Sequence, residues 1–301
     1  MQMSQPTSKS ANSVTFKFAG HETFTFRYGW LKKAVDGIGS DPKVFKRDDA
    51  IVEFGVGKNM VQSIKFWGLA TQVLEEENKE LKVSNFGHKL LNQWDPFLED
   101  PASLWLTHWL LATNPSRAAV WYLAFNKYPR PDFTKDQILE FIVDYADRHS
   151  IKIKGTTIGR DVDCFIRTYL PVQKAKTSVE DKFSCPLNEL ELLSKLRDND
   201  SYQFNIGPKP SLPSEVIGYA LLTYIKLEQS RRKTISISDC LYRAGSPGQV
   251  FKLDENSLVE YVEQLQKSTA GSIELDETAG LKQVYAKNEL DPESLLETYY
   301  G

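Results

Sequence analysis

Residues 44–74, VFKRDDAIVEFGVGKNMVQSIKFWGLATQVL, constrain the fold more than any other part of the chain. The stretch reads as two short helices split by GVG, with the second running into a strand. A short carboxylate at a helix start accepts bonds from free backbone N–H groups, so Asp48 or Asp49 opens the first helix. Gly55 and Gly57 permit a turn that a side chain would strain. Beyond that turn Met60, Ile64 and Trp67 recur at helical spacing, while Lys58, Gln62 and Lys65 fall on another face. This is the layout of a helix-turn-helix, whose second helix enters a DNA major groove. An amphipathic helix in an ordinary α-rich domain has the same spacing, so the surroundings must decide.

Those surroundings favour DNA. GLATQVLEEENKELKVSNFGHKLLNQ reads as strand, polar turn, strand and helix, and two strands beside a helix-turn-helix make a winged helix. We place this unit at 16–95, behind a polar, disordered tail at 1–15. Within it VTFKF suits a short strand, and Phe24, Tyr28, Leu31 and Val35 predict a first helix over 23–36. The wing, Glu75 to Lys82, is too acidic to favour phosphate. The helix therefore carries the contact. Lys58, Asn59, Gln62 and Lys65 form the expected recognition surface, since Asn and Gln pair with adenine edges and Lys with guanine or phosphate. Lys46, Arg47 and Arg117 are secondary phosphate-contact candidates. The chain has a net charge of −3, yet its first 70 residues hold ten Lys/Arg against six Asp/Glu. The acidic excess lies later, where it suits a protein-facing surface.

The pattern then repeats. Residues 96–132 predict a helical connector, begun by Pro101 and interrupted by Pro115, with its tryptophans and His108 in the core. A second winged-helix-like unit spans 133–207. Its helices are FTKDQILEFIVDYADRH, capped by Thr134, and TTIGRDVDCFIRTY, capped by a threonine. A loop over 174–181, a helix CPLNELELLSKL and a strand SYQFNIG follow. GPKPSLP is a proline-rich connection to a third unit at 208–301, with a long helix EVIGYALLTYIKLEQ, a turn GSPGQV and an acidic helix LDENSLVEYVEQLQKS. Two strands and a short helix DPESLLETYYG end the chain. The fold class is mainly α with small β wings: divergent tandem winged-helix-like domains around a helical middle.

No apolar stretch is long enough to span a bilayer, and the start lacks a signal-peptide core, so a cytoplasmic protein without membrane contact is expected. Three cysteines, far apart and without metal-ligand spacing, suit a reducing interior. GVGKN lacks the GxxxxGK[ST] of a phosphate-binding loop. Four side chains are catalytic candidates. His21 and Glu22, near Arg27, form an acid–base pair, and Asp161 and Asp163 lie close in sequence without sharing a helical face. For each set a structural role is the stronger reading. No tightly bound cofactor is expected, although a nickase would use a divalent metal.

Taken in order, GHETFTFRYGWLKKA, RDDAIVEFGVGKNMV, DPFLEDPASLWLTHWLLATNP, RDVDCFIRTY, GPKPSLP, SPGQVFKLDE and DETAGLKQVY resemble a family of unknown function associated with bacterial DNA phosphorothioate modification. The resemblance covers residues 16–290. It implies a DNA-binding component of that modification or a linked defence, with double-stranded DNA and sulfur-transfer or sulfur-activation proteins as partners, in an oligomer or a monomer. The broader family includes the DNA-nicking component of single-stranded phosphorothioation systems, but no catalytic motif carries over residue by residue. A noncatalytic adaptor that organises the sulfur enzymes is the alternative, and a transcriptional regulator is a third.

Overall fold

The computed structural model describes residues 14–171, 185–196, 200–228, 234–278, 280–287 and 290–301. The expected loop at 174–181 and all but two residues of the expected tail lie outside these. Helices dominate, and three small antiparallel sheets are interspersed among them.

The first unit holds α1 (Trp30–Ser40), a 3-10 turn at Val44–Lys46, α2 (Ala50–Phe54), α3 (Lys58–Ala70) and the hairpin β1 (Leu74–Glu77) and β2 (Glu80–Val83). Two expectations fail ahead of it. Residues 14–18 form no strand; they lie along the central helices, with the Lys17 N–H donating to Pro115 O and the Ala119 N–H to Lys17 O, both at 3.0 Å. The first helix begins at Trp30, not at 23. Ala19, Gly20, Glu22, Thr23 and Gly29 all have left-handed backbone, φ 63, 102, 49, 64 and 76°, which a right-handed helix excludes.

Next come α4 (Asn85–Lys89), a π turn at Leu90–Trp94, α5 (Pro101–Ala112) and α6 (Ala119–Asn126). Asp100 caps α5 by accepting the Ala102 N–H at 2.8 Å, with Pro101 in the first turn. All of α5 beyond Pro101 is buried, so this helix is enclosed by the core on every side.

The second and third sheets share a winged-helix topology. β3 (Asp132–Thr134) precedes α7 (Lys135–Arg148) and α8 (Gly155–Tyr169), then β4 (Leu193–Lys195) and β5 (Ser201–Phe204) close a sheet of order β3-β5-β4. Thr134 and Gln137 form the expected capping box. α8 starts earlier than its threonines suggest, with Lys154 at the N-cap position, and so lacks the expected cap. The segment CPLNELELLSKL is a 3-10 turn at Pro186–Leu190 followed by β4, because Glu191 turns left-handed at φ 49°.

In the third unit, α9 (Ser214–Glu228), β6 (Thr234–Ser236), α10 (Ile237–Tyr242), α11 (Pro247–Phe251), α12 (Glu255–Ser268), β7 (Ile273–Thr278) and β8 (Leu281–Ala286) give the order β6-β8-β7. GSPGQV is helical, not merely a turn: Ser246 Oγ accepts the Gln249 N–H at 3.4 Å and Pro247 suits the first helical position. α13 (Pro292–Tyr300) packs on α9, where a Cβ on Gly218 would come within 2.6 Å of Leu295 and 2.8 Å of Leu265.

One continuous apolar cluster runs from Phe26 to Leu296, so the units are fused and not strung on flexible linkers. Even GPKPSLP is packed. Lys209 is buried with its ammonium donating to Asn205 O at 2.7 Å and Gly207 O at 3.1 Å, and desolvation lowers its pKa to about 8. Lys252 is deeper still. Its Nζ donates to Phe125 O at 2.6 Å and lies 4.5 Å from the Phe204 ring centroid, and burial lowers its pKa to about 7. His108, a core residue as expected, donates from Nε2 to Val250 O at 3.0 Å and accepts the Tyr169 hydroxyl at Nδ1, 2.8 Å away. Burial holds it neutral, its pKa lowered to about 3.

Candidate nucleic-acid interface

α2 and α3 make the expected helix-turn-helix. Gly55 closes α2 at φ 63°, where its lack of a side chain removes strain. Gly57 has φ −65°, so its position makes no such demand, contrary to the sequence reading. Nor does Asp49 cap α2 through its side chain: Arg47 holds that carboxylate instead. α3 buries Val61, Ile64 and Trp67 against the core and leaves Lys58, Asn59 and Gln62 exposed, with Lys65 half-buried. Lys58, Asn59 and Gln62 occupy the amino-terminal turns, the part of a recognition helix that meets base edges. Lys58 and Lys65 make no ion pair among the described residues.

The secondary candidates separate. Lys46 is exposed at the end of the 3-10 turn. Arg47 is held by Asp49 and, at 3.2 Å, by Asp41. Arg117 donates to Glu76 Oε2 at 2.7 Å across the base of the first wing. Its charge neutralises a wing glutamate, and Lys82 does the same for Glu75 at 3.3 Å and Glu77 at 2.7 Å.

The four catalytic candidates are regrouped by the fold. His21 Nε2 donates to Asp161 Oδ1 at 2.8 Å, although 140 residues separate them, and both side chains are almost completely buried. Asp161 Oδ2 accepts the Ala19 N–H at 2.7 Å, and His21 Nδ1 accepts the Thr23 N–H at 3.0 Å. Burial is the largest single influence and disfavours the imidazolium, but Asp161 and Cys164 together outweigh it and push the pKa up to about 10. The Thr23 N–H opposes the carboxylate, because a second ring proton would have to sit where that N–H points. We therefore assign the neutral Nε2–H tautomer. Phe66 and Trp121 pack edge-on around the ring. Of the other two candidates, Asp163 pairs with Lys135 at 2.6 Å, and Glu22 is exposed at the tip of the turn. Sequence alone paired His21 with Glu22 and Asp161 with Asp163. The fold pairs His21 with Asp161.

Among the described residues no group of three His, Cys, Asp or Glu side chains is placed to hold a metal ion. Both Asp161 oxygens are taken by N–H donors and Asp163 by a lysine, so these carboxylates do not fit a magnesium cage. Magnesium does bind through one or two carboxylates, water and a substrate phosphate. Of the four candidates, Glu22 alone is an exposed carboxylate without a bonded partner among the described residues.

A helix-turn-helix with a basic outer face, a wing and two further winged-helix-like units defines a tandem winged-helix protein of the kind that binds nucleic acid. The chain belongs to the family described as a protein of unknown function (DUF4007), whose model matches residues 18–300. It is similar to two solved structures, a magnesium ion-bound SspB and a second SspB crystal structure, with TM-scores of 0.87 and 0.86. Each is 31% identical, and each alignment covers 94% of this chain and 87% of the other. A comparison with curated proteins finds no match. Family and fold agree with the sequence resemblance to proteins associated with DNA phosphorothioate modification. No helix among the described residues is long and apolar enough to cross a membrane.

Proposed function

We propose that the protein is a DNA-binding component of phosphorothioate modification, docking α3 in the major groove of duplex DNA. The observation that carries this is the outer face of α3, where Lys58, Asn59, Gln62 and Lys65 stand on a rigid, buried scaffold with both lysines unpaired among the described residues. Lys46 adds a phosphate contact from the preceding turn. Sulfur-transfer or sulfur-activation proteins are the expected partners, and the acidic carboxy-terminal unit is the surface offered to them. Fluorescence anisotropy of a labelled duplex tests the DNA reading. Lys58→Ala with Lys65→Ala should weaken binding and flatten its salt dependence by roughly 0.9 for each phosphate no longer neutralised. Unchanged affinity in that double variant would remove the proposal's basis.

A second reading adds strand nicking, and two observations favour it: a similar solved structure carries a magnesium ion, and Glu22 is exposed beside the two buried candidates. In this reading Glu22 is the group that meets a metal or a proton, while the buried His21–Asp161 pair sets the shape of its turn. Supercoiled plasmid should be nicked with magnesium, and Glu22→Gln should abolish nicking while leaving duplex binding intact. Binding without nicking by the unaltered protein would favour the noncatalytic adaptor.

A further inference from the structure

We infer that α8 is a second DNA-contacting helix, locked beside α3 so that both address one duplex; the inference rests on the DNA reading of α3 and extends it. The turn at 19–24 is bonded to both helices. On the α3 side, Trp67 Nε1 donates to Phe24 O at 3.2 Å, and Gly20 lies so close to the Phe66 ring that a Cβ there would meet it at 3.0 Å. On the α8 side, Asp161 holds His21 and the Ala19 N–H, and Arg167 Nη2 donates to Thr23 O at 2.7 Å. Cys164 Sγ lies 3.4 Å from Phe24 O.

These anchors also orient the outer faces. Asn59 and Gln62 lie on the same stripe of α3 as Phe66, one to two turns nearer its start. Arg160 lies two turns before Arg167 on one stripe of α8. Both stripes therefore flank the same short turn. α8 buries Ile158, Asp161, Val162, Phe165 and Tyr169 and presents Thr156 and Arg160 outward, with Arg167 half-buried. Lys152 and Lys154 stand exposed at its start, and neither they nor Arg160 form an ion pair among the described residues. Two acidic groups share the surface. Asp163 is neutralised by Lys135, and Glu22 projects from the turn itself. The net field of the α8 stripe is positive, which suits phosphate positioning.

The test uses the full chain, a duplex of about 30 base pairs, three helical turns, and anisotropy titrations across a salt series. Arg160→Ala with Lys154→Ala should lower the slope of log affinity against log salt by roughly 0.9 for each phosphate no longer neutralised, and should shorten the protected footprint on one side only. An unchanged slope and footprint in this pair, while the α3 pair Lys58→Ala with Lys65→Ala flattens the slope, would overturn the two-helix inference and leave the α3 reading standing. No effect from either pair would overturn both. Asp161→Asn probes the lock, because it turns one acceptor into a donor facing a donor. It should weaken binding to the long duplex more than to one of about ten base pairs, a single turn. Equal weakening of the two would refute the lock.

Discussion

α3 and α12 hold equivalent places, each the last helix before a wing hairpin, yet they present opposite surfaces. α3 shows Lys58, Asn59, Gln62 and Lys65; α12 shows Glu255, Glu260 and Glu263. Their inner faces obey the same rule, with Leu258, Val262 and Leu265 buried in α12 as Val61, Ile64 and Trp67 are in α3. Apolar burial sets where such a helix sits, and only the outer residues set what it meets. A carboxylate-rich face repels phosphate, so in our reading one topology serves DNA at one end of this chain and protein at the other. The two ends are also anchored differently. The turn bordering α3 is held by a buried polar pair, whereas α12 is held by leucines closed over Gly218.

The largest expected effect tests that difference in anchoring. His21→Ala leaves Asp161 buried without its partner and should cost about 3 kcal/mol or more in urea unfolding. Leu265→Ala should cost a similar amount, about 2–5 kcal/mol, through a cavity. The two should differ in DNA binding: the folded fraction of the histidine variant loses affinity, and that of the leucine variant keeps it. Equal affinity in both would mean that the polar pair plays no part in presenting α3.

Charge reversal sharpens the contrast of surfaces. Lys58→Glu with Lys65→Glu should weaken duplex binding by about a hundredfold at moderate salt, since each change takes a cation from the phosphates and adds a repulsion. Glu260→Lys with Glu263→Lys on α12 should change it by less than about threefold. A large gain from the α12 pair would show DNA running along both ends of the molecule.

The buried joint between these ends should be sensitive to pH. Lys252 titrates near 7 in the folded protein against 10.5 when exposed, so between those values the unfolded chain holds the extra proton. Stability therefore rises with pH across that window, by on the order of 1 kcal/mol per unit at most, and the lysine's contribution levels off below it. Lys252→Met should flatten the rise in thermal melts taken from pH 7 to 10. His108, depressed to about 3, acts in the same direction at lower pH: stability is lost as pH falls below 6.5. A flat profile in the unaltered protein would contradict the buried, neutral lysine.

The smallest effect belongs to Arg117. Its pair with Glu76 is partly exposed, so Arg117→Ala should cost no more than about 1 kcal/mol. Duplex affinity should barely change, because the guanidinium is already committed to the wing. A drop comparable with that of the α3 lysines would show that it leaves Glu76 for phosphate.

Much of this was legible in the residues. The helix-turn-helix followed from Ile64 and Trp67 at helical spacing, the cap of α7 from Thr134 and Gln137, and the acidity of α12 from its own glutamates. Failures cluster where local pattern and long-range contact disagree. The aromatic spacing in TFTFRYGWL imitates a helix, but four left-handed residues between Ala19 and Thr23 are held in place by a carboxylate far along the chain. His21 was singled out for the wrong neighbour for the same reason. Arg117 looked like a phosphate contact because its partner, Glu76, lies 41 residues away on a wing.

The helical stripes, the wings and the charge on each outer face follow from residue spacing of a few positions, and the family resemblance from motifs taken in order along the chain. That the three units share one core, that His21 and Asp161 form a buried pair, and that the α3 and α8 stripes border the same turn follow from long-range packing alone. Those outcomes depend on closing loops of 140 residues and more, for which local periodicity carries no information.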